Sequence, residues 1–277
     1  MRRFLALALS LAAPAAAQQP EWSEPQAPFH IAGPVWYVGT KGLGVYAIKT
    51  DAGAILVSAA QAKDADLIEK NLRAIGVVGG QLKLMLNYHA HYDHAGFAPI
   101  KADTGALLLS SAADADALRK GRHEADNENG HTLFPAVPVD RIVRDGETVR
   151  LGGVGITATL TPGHTPGCTT WSLPVTDRGR TLRVVFPCSI TVAGNVLVGN
   201  KSYPGIVADY RKSFARLARM KADIVLPMHP EFNDVLGREA RAAAGNRDAF
   251  VDRRALPRIV AEARTAFEKE LSRQQRR

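Results

Sequence analysis

The stretch His89-Ala90-His91-Tyr92-Asp93-His94 decides the fold of this 277-residue chain, because it gathers three imidazoles and one carboxylate within six residues. Imidazole and carboxylate are the ligands that zinc uses at hydrolytic sites. A single histidine is usually a buried core residue, and a purification tag would be terminal and would contain histidine alone. Four ligand-type residues inside the chain therefore predict a metal-binding loop.

The positions of strands relative to histidines extend this prediction. The motif directly follows Leu82–Leu86, a nearly all-apolar segment that predicts a short buried strand. His164 follows a strand predicted over residues 156–160, and His229 follows one predicted over residues 223–226. Proline and glycine flank both histidines and favour tight turns of defined shape. We therefore expect the three strand ends to converge on one metal centre.

The candidate ligands divide into two sets of three. The predicted sets are His89, His91 and His164 on one zinc ion, and Asp93, His94 and His229 on a second. Three protein ligands leave a coordination position open for water, which is typical of catalytic rather than structural zinc. Two such ions can share a hydroxide whose pKa is near neutral, so the pattern predicts hydrolysis of a carbonyl or phosphoryl group.

Three further histidines lack such a context. His30, His123 and His131 are expected on the surface or in loops. His123 and His131 lie in a long polar loop over residues 121–138, which makes them candidates for the rim of a pocket.

The pattern of predicted elements indicates one α/β domain over residues 18–277. Strands and helices interleave in both halves, and no low-complexity linker separates the halves. Two βα halves joined into a sandwich, with helices outside two central sheets, fit this order. Residues 141–143 and 148–151 resemble the two strands of a hairpin, and residues 253–277 predict an amphipathic C-terminal helix.

Residues 1–17 have the composition of a cleaved signal peptide. Arg2 and Arg3 precede an apolar run over residues 4–13, and alanines at positions 15–17 precede Gln18. The alternative is an uncleaved anchor, but the apolar run is short for a membrane span of about 18 residues or more. We expect export to the periplasm and no stable membrane association.

The basic charge does not by itself indicate a nucleic-acid partner. The formal charge is +8 and would fall to +6 on removal of Arg2 and Arg3. These charges are dispersed, which favours solubility, and export argues further against a nucleic-acid substrate. A monomer is the default expectation.

These residues carry a recognisable family pattern. The order His-x-His-x-Asp-His, then Thr-Pro-Gly-His ending at His164, then His229, resembles the metallo-β-lactamase superfamily. The resemblance covers the chain from about Val35 to the C-terminal helix. It implies an αββα sandwich with a two-zinc site at the edge of the two central sheets.

Details of the motif resemble subclass B3 of that superfamily. Subclass B1 lacks the histidine found here at position 94, and subclass B2 carries asparagine at the position of His89. Ser189 stands where subclass B1 has a metal-binding cysteine, and the resemblance implies that Ser189 and Thr191 bind a substrate carboxylate. Asn195 is implied to lie near the substrate carbonyl oxygen.

The resemblance also implies a reaction and its substrates. A metal-bridging hydroxide, oriented by Asp93, would attack the β-lactam carbonyl of a penicillin, cephalosporin or carbapenem. The zinc ion held by Asp93, His94 and His229 would receive the nitrogen anion that develops. Such an enzyme acts on small β-lactam molecules and confers antibiotic resistance.

Two departures from the family pattern bear on the site. Ser58-Ala59-Ala60 stands where many relatives have Asp-Gly-Gly, and the missing carboxylate usually supports the metal loop. Cys168 and Cys188 are expected to form a disulfide, because their strands are predicted to be antiparallel neighbours and the expected compartment is oxidising. The alternative is that Cys188 supplies a thiolate ligand to the metal.

Two other functions remain open at this point. The first is an exported hydrolase of the same fold that cleaves thioesters or lactones, such as a glyoxalase II-like enzyme. Those enzymes normally place a metal-bridging aspartate in the segment here occupied by residues 184–190, whereas no acidic residue lies between Arg183 and Asn200. The second is a zinc-binding protein without catalysis, which the open coordination positions disfavour.

Overall fold

A computed structural model describes residues 20–123, 125–128 and 132–277 of the chain. The predicted signal peptide over residues 1–17 and the predicted rim residue His131 lie outside the described residues. The strands are β1 Phe29–Ala32, β2 Val35–Tyr37, β3 Tyr46–Thr50, β4 Gly53–Val57, β5 Leu82–Leu86, β6 Leu107–Ser111, β7 Arg141–Val143, β8 Thr148–Leu151, β9 Val154–Leu160, β10 Thr169–Asp177, β11 Arg180–Phe186 and β12 Ile224–Val225. The α-helices are α1 Ala65–Ala74, α2 Phe97–Thr104, α3 Ala112–Lys120, α4 Ile206–Leu217, α5 Val235–Ala243 and α6 Ala255–Gln275.

The strands form two sheets. The first has seven strands in the order β1 to β7, antiparallel from β1 to β4 and parallel from β4 to β7. The second has five strands in the order β12-β11-β10-β9-β8, all antiparallel except the β11–β12 pair. The antiparallel β10–β11 pair confirms the expectation for the two cysteine-bearing segments.

The predicted hairpin over residues 141–143 and 148–151 is wrong. The first of these segments, β7, pairs in parallel with β6 in the seven-stranded sheet. The second, β8, pairs with β9 in the other sheet. The intervening turn therefore carries the chain from one sheet to the other. Alternation of apolar residues identifies strands, but it does not identify their partners.

Alternating side chains place each strand between two apolar layers. In β4, Ile55 and Val57 enter the core between the sheets, whereas Ala54 and Leu56 face the layer that contains the buried residues of α1, α2 and α3. In β11, Val184 and Phe186 enter the central core and Val185 faces α4 and α6. Side chains of successive strand residues point to opposite faces, which produces this division.

The layers are thus helices, sheet, sheet and helices, which confirms the expected αββα sandwich. The expected C-terminal helix is present as α6, whereas α5 has no counterpart among the predicted elements. Val235 is the one buried residue of α5 in the described structure, so its apolar signal in the sequence is weak. Among the described residues, no helix has both the length and the apolar character that a membrane span requires.

Three strand ends position the functional loops. The motif His89–His94 follows β5, the turn that carries His164 joins β9 to β10, and His229 follows β12. The motif thus comes from the first sheet, and the other two histidines come from the second. Their convergence at one edge of the sandwich forms the site described next.

Candidate metal centre

The first predicted ligand set is assembled in the structure. One ring nitrogen from each of His89, His91 and His164 lies within 4.8 Å of one from each of the other two. The Nε2 atom of His89 is buried and has no hydrogen-bond partner among the described residues. Burying a polar atom without a partner is costly, and a metal ion at this position would remove that cost. The three imidazoles therefore fit a divalent metal.

Neighbouring groups fix which nitrogen of two of these rings is available. His164 Nδ1 donates to the backbone carbonyl of Thr191 at 2.8 Å, which leaves Nε2 for a metal. His91 Nε2 lies 2.9 Å from Nδ1 of His123, which leaves His91 Nδ1. Metal-binding histidines commonly use their second nitrogen in this way, because the contact sets both tautomer and ring orientation.

The second predicted ligand set forms a tight triangle. Asp93 Oδ2 lies 3.2 Å from His94 Nε2 and 3.3 Å from His229 Nε2. The two histidine nitrogens lie 3.2 Å apart. Tetrahedral zinc with bonds of about 2.0–2.1 Å would hold its ligand atoms about 3.3–3.4 Å apart. The three atoms therefore have the spacing of a zinc-binding triad.

Burial sets the protonation of the ligands. It lowers the pKa of His89 and of His91 well below the usual value, and it lowers the pKa of His164 to about 4. These rings are neutral at physiological pH and keep a lone pair for a metal. Burial alone would raise the pKa of Asp93, but the adjacent His94 and His229 rings hold it well below its usual value. Asp93 is therefore ionised and available to bind a cation.

Asp114, in α3, joins the two loops that carry the three-histidine set. Its carboxylate accepts hydrogen bonds from the backbone N–H of Ala90 at 3.1 Å, the hydroxyl of Thr165 at 2.9 Å and the backbone N–H of Gly167 at 2.9 Å. A Cβ atom at Gly167 would lie 2.5 Å from Asp114 Cγ, so this close approach requires glycine. Burial raises the pKa of Asp114 to about 6.

The segment Ser58-Ala59-Ala60 supports the motif through its backbone. The Ala59 N–H donates to the His94 carbonyl at 3.3 Å, and the Gly96 N–H donates to the Ala60 carbonyl at 2.9 Å. Ser58 and Ala60 have φ angles of 71° and 54°, in the left-handed region that favours glycine. This segment thus braces the loop through its backbone, without a carboxylate side chain, and that backbone is strained.

A disulfide joins Cys168 to Cys188, as expected from the sequence. The Cys188 sulfur lies 3.8 Å from Nδ1 of His89, whereas the Nε2 atom without a partner is on the opposite side of that ring. The sulfur is therefore behind the ring rather than among the ligands. The structure thus disfavours the alternative in which Cys188 supplies a thiolate to the zinc centre.

The ligand sets line an open cleft of about 350 Å³. This volume is within the range of small-molecule sites. Ser189 and Thr191 also line the cleft, and their hydroxyl oxygens lie 3.0 Å apart. Two adjacent hydroxyls beside the metal centre are suited to binding an anionic group of a substrate.

The prediction that Asn195 contacts the substrate is not supported by the structure. Asn195 is fully buried and does not line the cleft. Its side-chain amide donates to the backbone carbonyl of His164 at 2.9 Å and to the hydroxyl of Tyr210 at 3.3 Å. These contacts commit the amide to the protein interior, so Asn195 positions the His164 turn instead.

Sequence reasoning missed two residues of the site and underestimated a third. Trp22 lines the cleft with its ring centroid 5.2 Å from that of His229, and no periodic pattern in the sequence marks it. Asp114 precedes the buried Leu118 by one helical turn, so an acid on the apolar face of α3 was the available signal.

His123, expected in a loop or at the pocket rim, is buried against His91 and lines the cleft. His30, also expected at the surface, is exposed.

Comparison with known proteins is consistent with this geometry. BJP-1, a subclass B3 metallo-β-lactamase of Bradyrhizobium japonicum, is 40% identical, with 92% of this chain and 97% of that chain covered at a TM-score of 0.88. The FEZ-1 metallo-β-lactamase of Legionella gormanii is 34% identical, with 91% and 98% covered at a TM-score of 0.87.

Curated relatives match over shorter segments. The hydroxyacylglutathione hydrolase of Acidiphilium cryptum is 25% identical over 61% of this chain. The matches span one third to three fifths of the length of the first curated relatives.

A family model provides the remaining comparison. The model of the metallo-β-lactamase superfamily matches residues 45–229, which is more than half of the chain and includes all six predicted ligands. The sandwich fold, the two ligand sets and these similarities agree. The chain therefore belongs to the metallo-β-lactamase superfamily and, within it, to subclass B3.

Proposed function

We propose that this protein is a β-lactamase that hydrolyses the amide bond of penicillins, cephalosporins and carbapenems and so confers resistance to them. One observation carries the proposal: two three-residue ligand sets open into the same cleft as the hydroxyl pair of Ser189 and Thr191. A β-lactam presents a strained amide close to a carboxylate. The cleft offers a hydrolytic centre and an anion-binding pair side by side.

Two zinc ions per chain are the proposed cofactor. His89, His91 and His164 would hold one ion, and Asp93, His94 and His229 the other. When bound, zinc polarises a carbonyl and lowers the pKa of water to near neutrality.

The protein side chains prepare this chemistry. The ionised Asp93 carboxylate accepts a hydrogen bond from the attacking water and orients it toward the amide. Thr191 anchors His164 through its carbonyl, and His123 anchors His91. The ring atoms that face the metal are thereby held in fixed directions, as catalysis requires.

Substrate binding is assigned to groups around the centre. The hydroxyls of Ser189 and Thr191 would donate to the substrate carboxylate. Trp22 and Phe232 both pack near the His229 ring, with centroids 5.2 Å and 5.5 Å from it, and both line the cleft. Their surface would cover the apolar parts of a bicyclic β-lactam.

A thioesterase is the second candidate, and its support is the similarity to hydroxyacylglutathione hydrolases. That similarity is 25% identity over 61% of the chain, against 40% over 92% for BJP-1. The segment between Arg183 and Asn200 also contains no acid that could bridge two metal ions. Both observations favour the β-lactamase.

The proposed setting of the enzyme is the periplasm. Cleavage after residue 17 would release a single domain over residues 18–277. The mature enzyme would act as a monomer on small molecules, without nucleic-acid partners or stable membrane association.

The decisive experiment measures turnover of a penicillin, a cephalosporin, a carbapenem and a glutathione thioester by the zinc-loaded protein. We expect hydrolysis of the β-lactams, its loss on treatment with a chelator and its return with zinc. Hydrolysis of the thioester alone would establish the second candidate. No hydrolysis of any β-lactam by fully zinc-loaded protein would refute the proposal.

The variant His94→Ala tests the second ligand set. We expect it to bind about one zinc ion fewer per chain and to lose most of its activity, because one of three ligand atoms is removed. His30→Ala is the matched control, because His30 is exposed and is not among the residues that line the cleft. Unchanged zinc content in His94→Ala, measured by elemental analysis, would contradict the assignment.

A further inference from the structure

The disulfide behind His89 belongs to a second group of three potential metal ligands, which shares His89 with the zinc centre. Ligand atoms of His89, Cys168 and Cys188 lie within 4.8 Å of one another. His89 and Cys188 are 1% exposed and Cys168 is fully buried. The proposed hydrolytic function uses neither sulfur atom, nor the Nδ1 atom of His89.

We propose that reduction of the Cys168–Cys188 disulfide creates a second metal site, formed by both thiolates and His89 Nδ1, that is selective for soft cations such as Cu(I) or Cd(II). Thiolate sulfur prefers soft cations, and two sulfurs with one imidazole form a common ligand set for them. The site exists before the disulfide forms or after it is reduced, and the disulfide removes it.

The geometry needs little rearrangement. A sulfur and a nitrogen bound to one tetrahedral zinc ion, with bonds of about 2.3 Å and 2.0–2.1 Å, are about 3.6 Å apart, and the larger Cd(II) ion holds such atoms slightly farther apart. Cys188 Sγ and His89 Nδ1 are already 3.8 Å apart. Once the S–S bond is broken, the two sulfurs can separate by side-chain rotation while the strands stay in place. Cys188 Sγ lies 3.3 Å from the Tyr88 carbonyl oxygen, and Cys168 Sγ lies 3.4 Å from the Ser189 carbonyl oxygen.

The chemical step is balanced by an external reductant. A water-soluble phosphine attacks the disulfide, and its oxidation to phosphine oxide takes the oxygen atom of one water molecule. The two electrons and two protons released convert the disulfide to two thiols. Binding of a soft cation then releases the two thiol protons.

Sharing of His89 couples this site to the zinc centre. A neutral imidazole has one nitrogen with a lone pair and one that carries a proton. A cation at Nδ1 therefore moves the proton to Nε2, the atom that faces His91 and His164. The three-histidine set would lose one ligand, so occupation of the thiolate site should expel one zinc ion.

The test uses the full zinc-loaded chain, reduced anaerobically with a phosphine and then titrated with Cd²⁺ alone. We expect two thiols per chain to appear on reduction. On titration we expect one cadmium ion to bind with a thiolate-to-cadmium charge-transfer band in the near ultraviolet. Both thiols should become protected from alkylation, and one zinc ion per chain should be released. None of these readouts depends on β-lactam turnover, so the result is independent of the proposed function.

Controls separate the new site from cadmium exchange at the zinc centre. Oxidised wild type and the double variant Cys168→Ser/Cys188→Ser should bind cadmium, if at all, without the charge-transfer band. Absence of the band in reduced protein, or its persistence in Cys168→Ser alone, would overturn the proposal. Failure of the phosphine to release thiols, or loss of the native circular dichroism on reduction, would also overturn it. These last readouts need no variant, so they stand even if a serine variant fails to fold.

Discussion

Asp114 is a buried carboxyl group whose surroundings disfavour its ionised form. Burial raises its pKa from the ordinary value of 3.8 to about 6, although three donors face its carboxylate. As pH rises, the Asp114 carboxyl ionises in the unfolded chain before it ionises in the folded protein. The unfolded state is therefore favoured progressively until the pH exceeds the pKa of Asp114 in the folded protein. Stability from this group is therefore fully present below about pH 4 and reduced above about pH 6.

The variant Asp114→Asn should remove this pH dependence. Relative to the variant, metal-free wild type should lose about 3 kcal/mol of unfolding free energy between pH 4 and pH 7, since one pKa unit corresponds to about 1.4 kcal/mol. Denaturant unfolding at several pH values measures the difference. Asp116→Asn, at an exposed position of the same helix, is the control. A wild-type-to-variant difference that stays constant with pH would contradict the assignment.

Ala60 adopts a conformation that its side chain disfavours. A φ of 54° places this buried residue in the left-handed region, which costs a residue other than glycine about 1–2 kcal/mol. Glycine relieves that cost, but it also gives the unfolded chain more conformational entropy, which destabilises the folded state by about 0.4–1 kcal/mol. We expect Ala60→Gly to stabilise the protein by about 0.5–1 kcal/mol. Chemical denaturation at fixed zinc concentration checks this.

The neighbouring residue offers a matched comparison. Ala59 is equally buried but is not among the residues with positive φ. Ala59→Gly should therefore destabilise, because the entropy term is no longer offset. If both glycine variants destabilise to the same extent, the φ of Ala60 is not a source of strain.

Individual site residues could be predicted from the sequence where several ligand-type side chains lie close together in the chain. The ligand residues could be predicted because few other roles explain four ligand-type side chains in His89–His94. Trp22 could not be predicted, because its place beside His229 depends on how the N-terminal segment crosses the cleft. The surroundings of Asn195 could not be predicted for a related reason: the resemblance implied a substrate contact, but in the structure its buried amide donates to His164 and Tyr210.

The strands that end at the site could be predicted from the sequence, but the strands with which they and their neighbours pair could be predicted only in part. Leu82–Leu86 is apolar except for the exposed Lys83, and its other residues are buried or half-buried. Such a nearly continuous apolar run is typical of a parallel strand with both faces covered. The pairing of β7 with β6 joins segments more than 30 residues apart, and no local pattern specifies it. Helix α5 was missed because it buries little apolar surface.

Gln274 connects the C-terminal helix to the residues that support the site. Gln274, in the last turn of α6, is largely buried. Its Oε1 accepts from the Leu197 N–H at 2.6 Å, and its Nε2 donates to the Asn195 carbonyl at 3.0 Å. Since Asn195 holds the carbonyl of His164, helix α6 is linked to a metal ligand through two hydrogen-bonded steps.

Gln274→Ala should loosen this link. It leaves the buried Leu197 N–H and Asn195 carbonyl without their partner, which costs about 1–3 kcal/mol. We expect faster amide hydrogen exchange at Leu197 together with weaker zinc binding by the three-histidine set. Gln275→Ala, at an exposed neighbouring position, should change neither. Weaker stability without any change at Leu197 would show that Gln274 contributes only to helix docking.

The whole molecule places its metal ligands on both halves of the sandwich. The motif His89–His94 belongs to the seven-stranded sheet, whereas His164 and His229 follow strands of the five-stranded sheet. Each predicted zinc ion therefore has ligands from both sheets. Metal binding should act as a cross-link between halves that already share the core around Tyr46, Trp171 and Phe186.

Removal of zinc should lower the thermal stability of the entire domain while leaving it folded. Each ion that binds only the native state contributes about 2.7 kcal/mol when free zinc is at 100 times its Kd. In a domain of about 250 residues, this corresponds to a fall in Tm of roughly 5–10 °C per ion on chelation. The apolar core does not depend on the metal, so the far-ultraviolet circular dichroism should be retained.

The zinc dependence of Tm also tests whether zinc joins the two halves of the sandwich or stabilises only the loops around the site. Scanning calorimetry of zinc-loaded wild type should show one cooperative transition that moves upward with zinc concentration, because unfolding of either half abolishes both sites. His94→Ala should keep a single transition but show a smaller upward shift, since one ligand set is broken. If chelation leaves Tm unchanged, or moves only a minor early transition, zinc does not join the two halves, and the site is a local feature of one sheet edge.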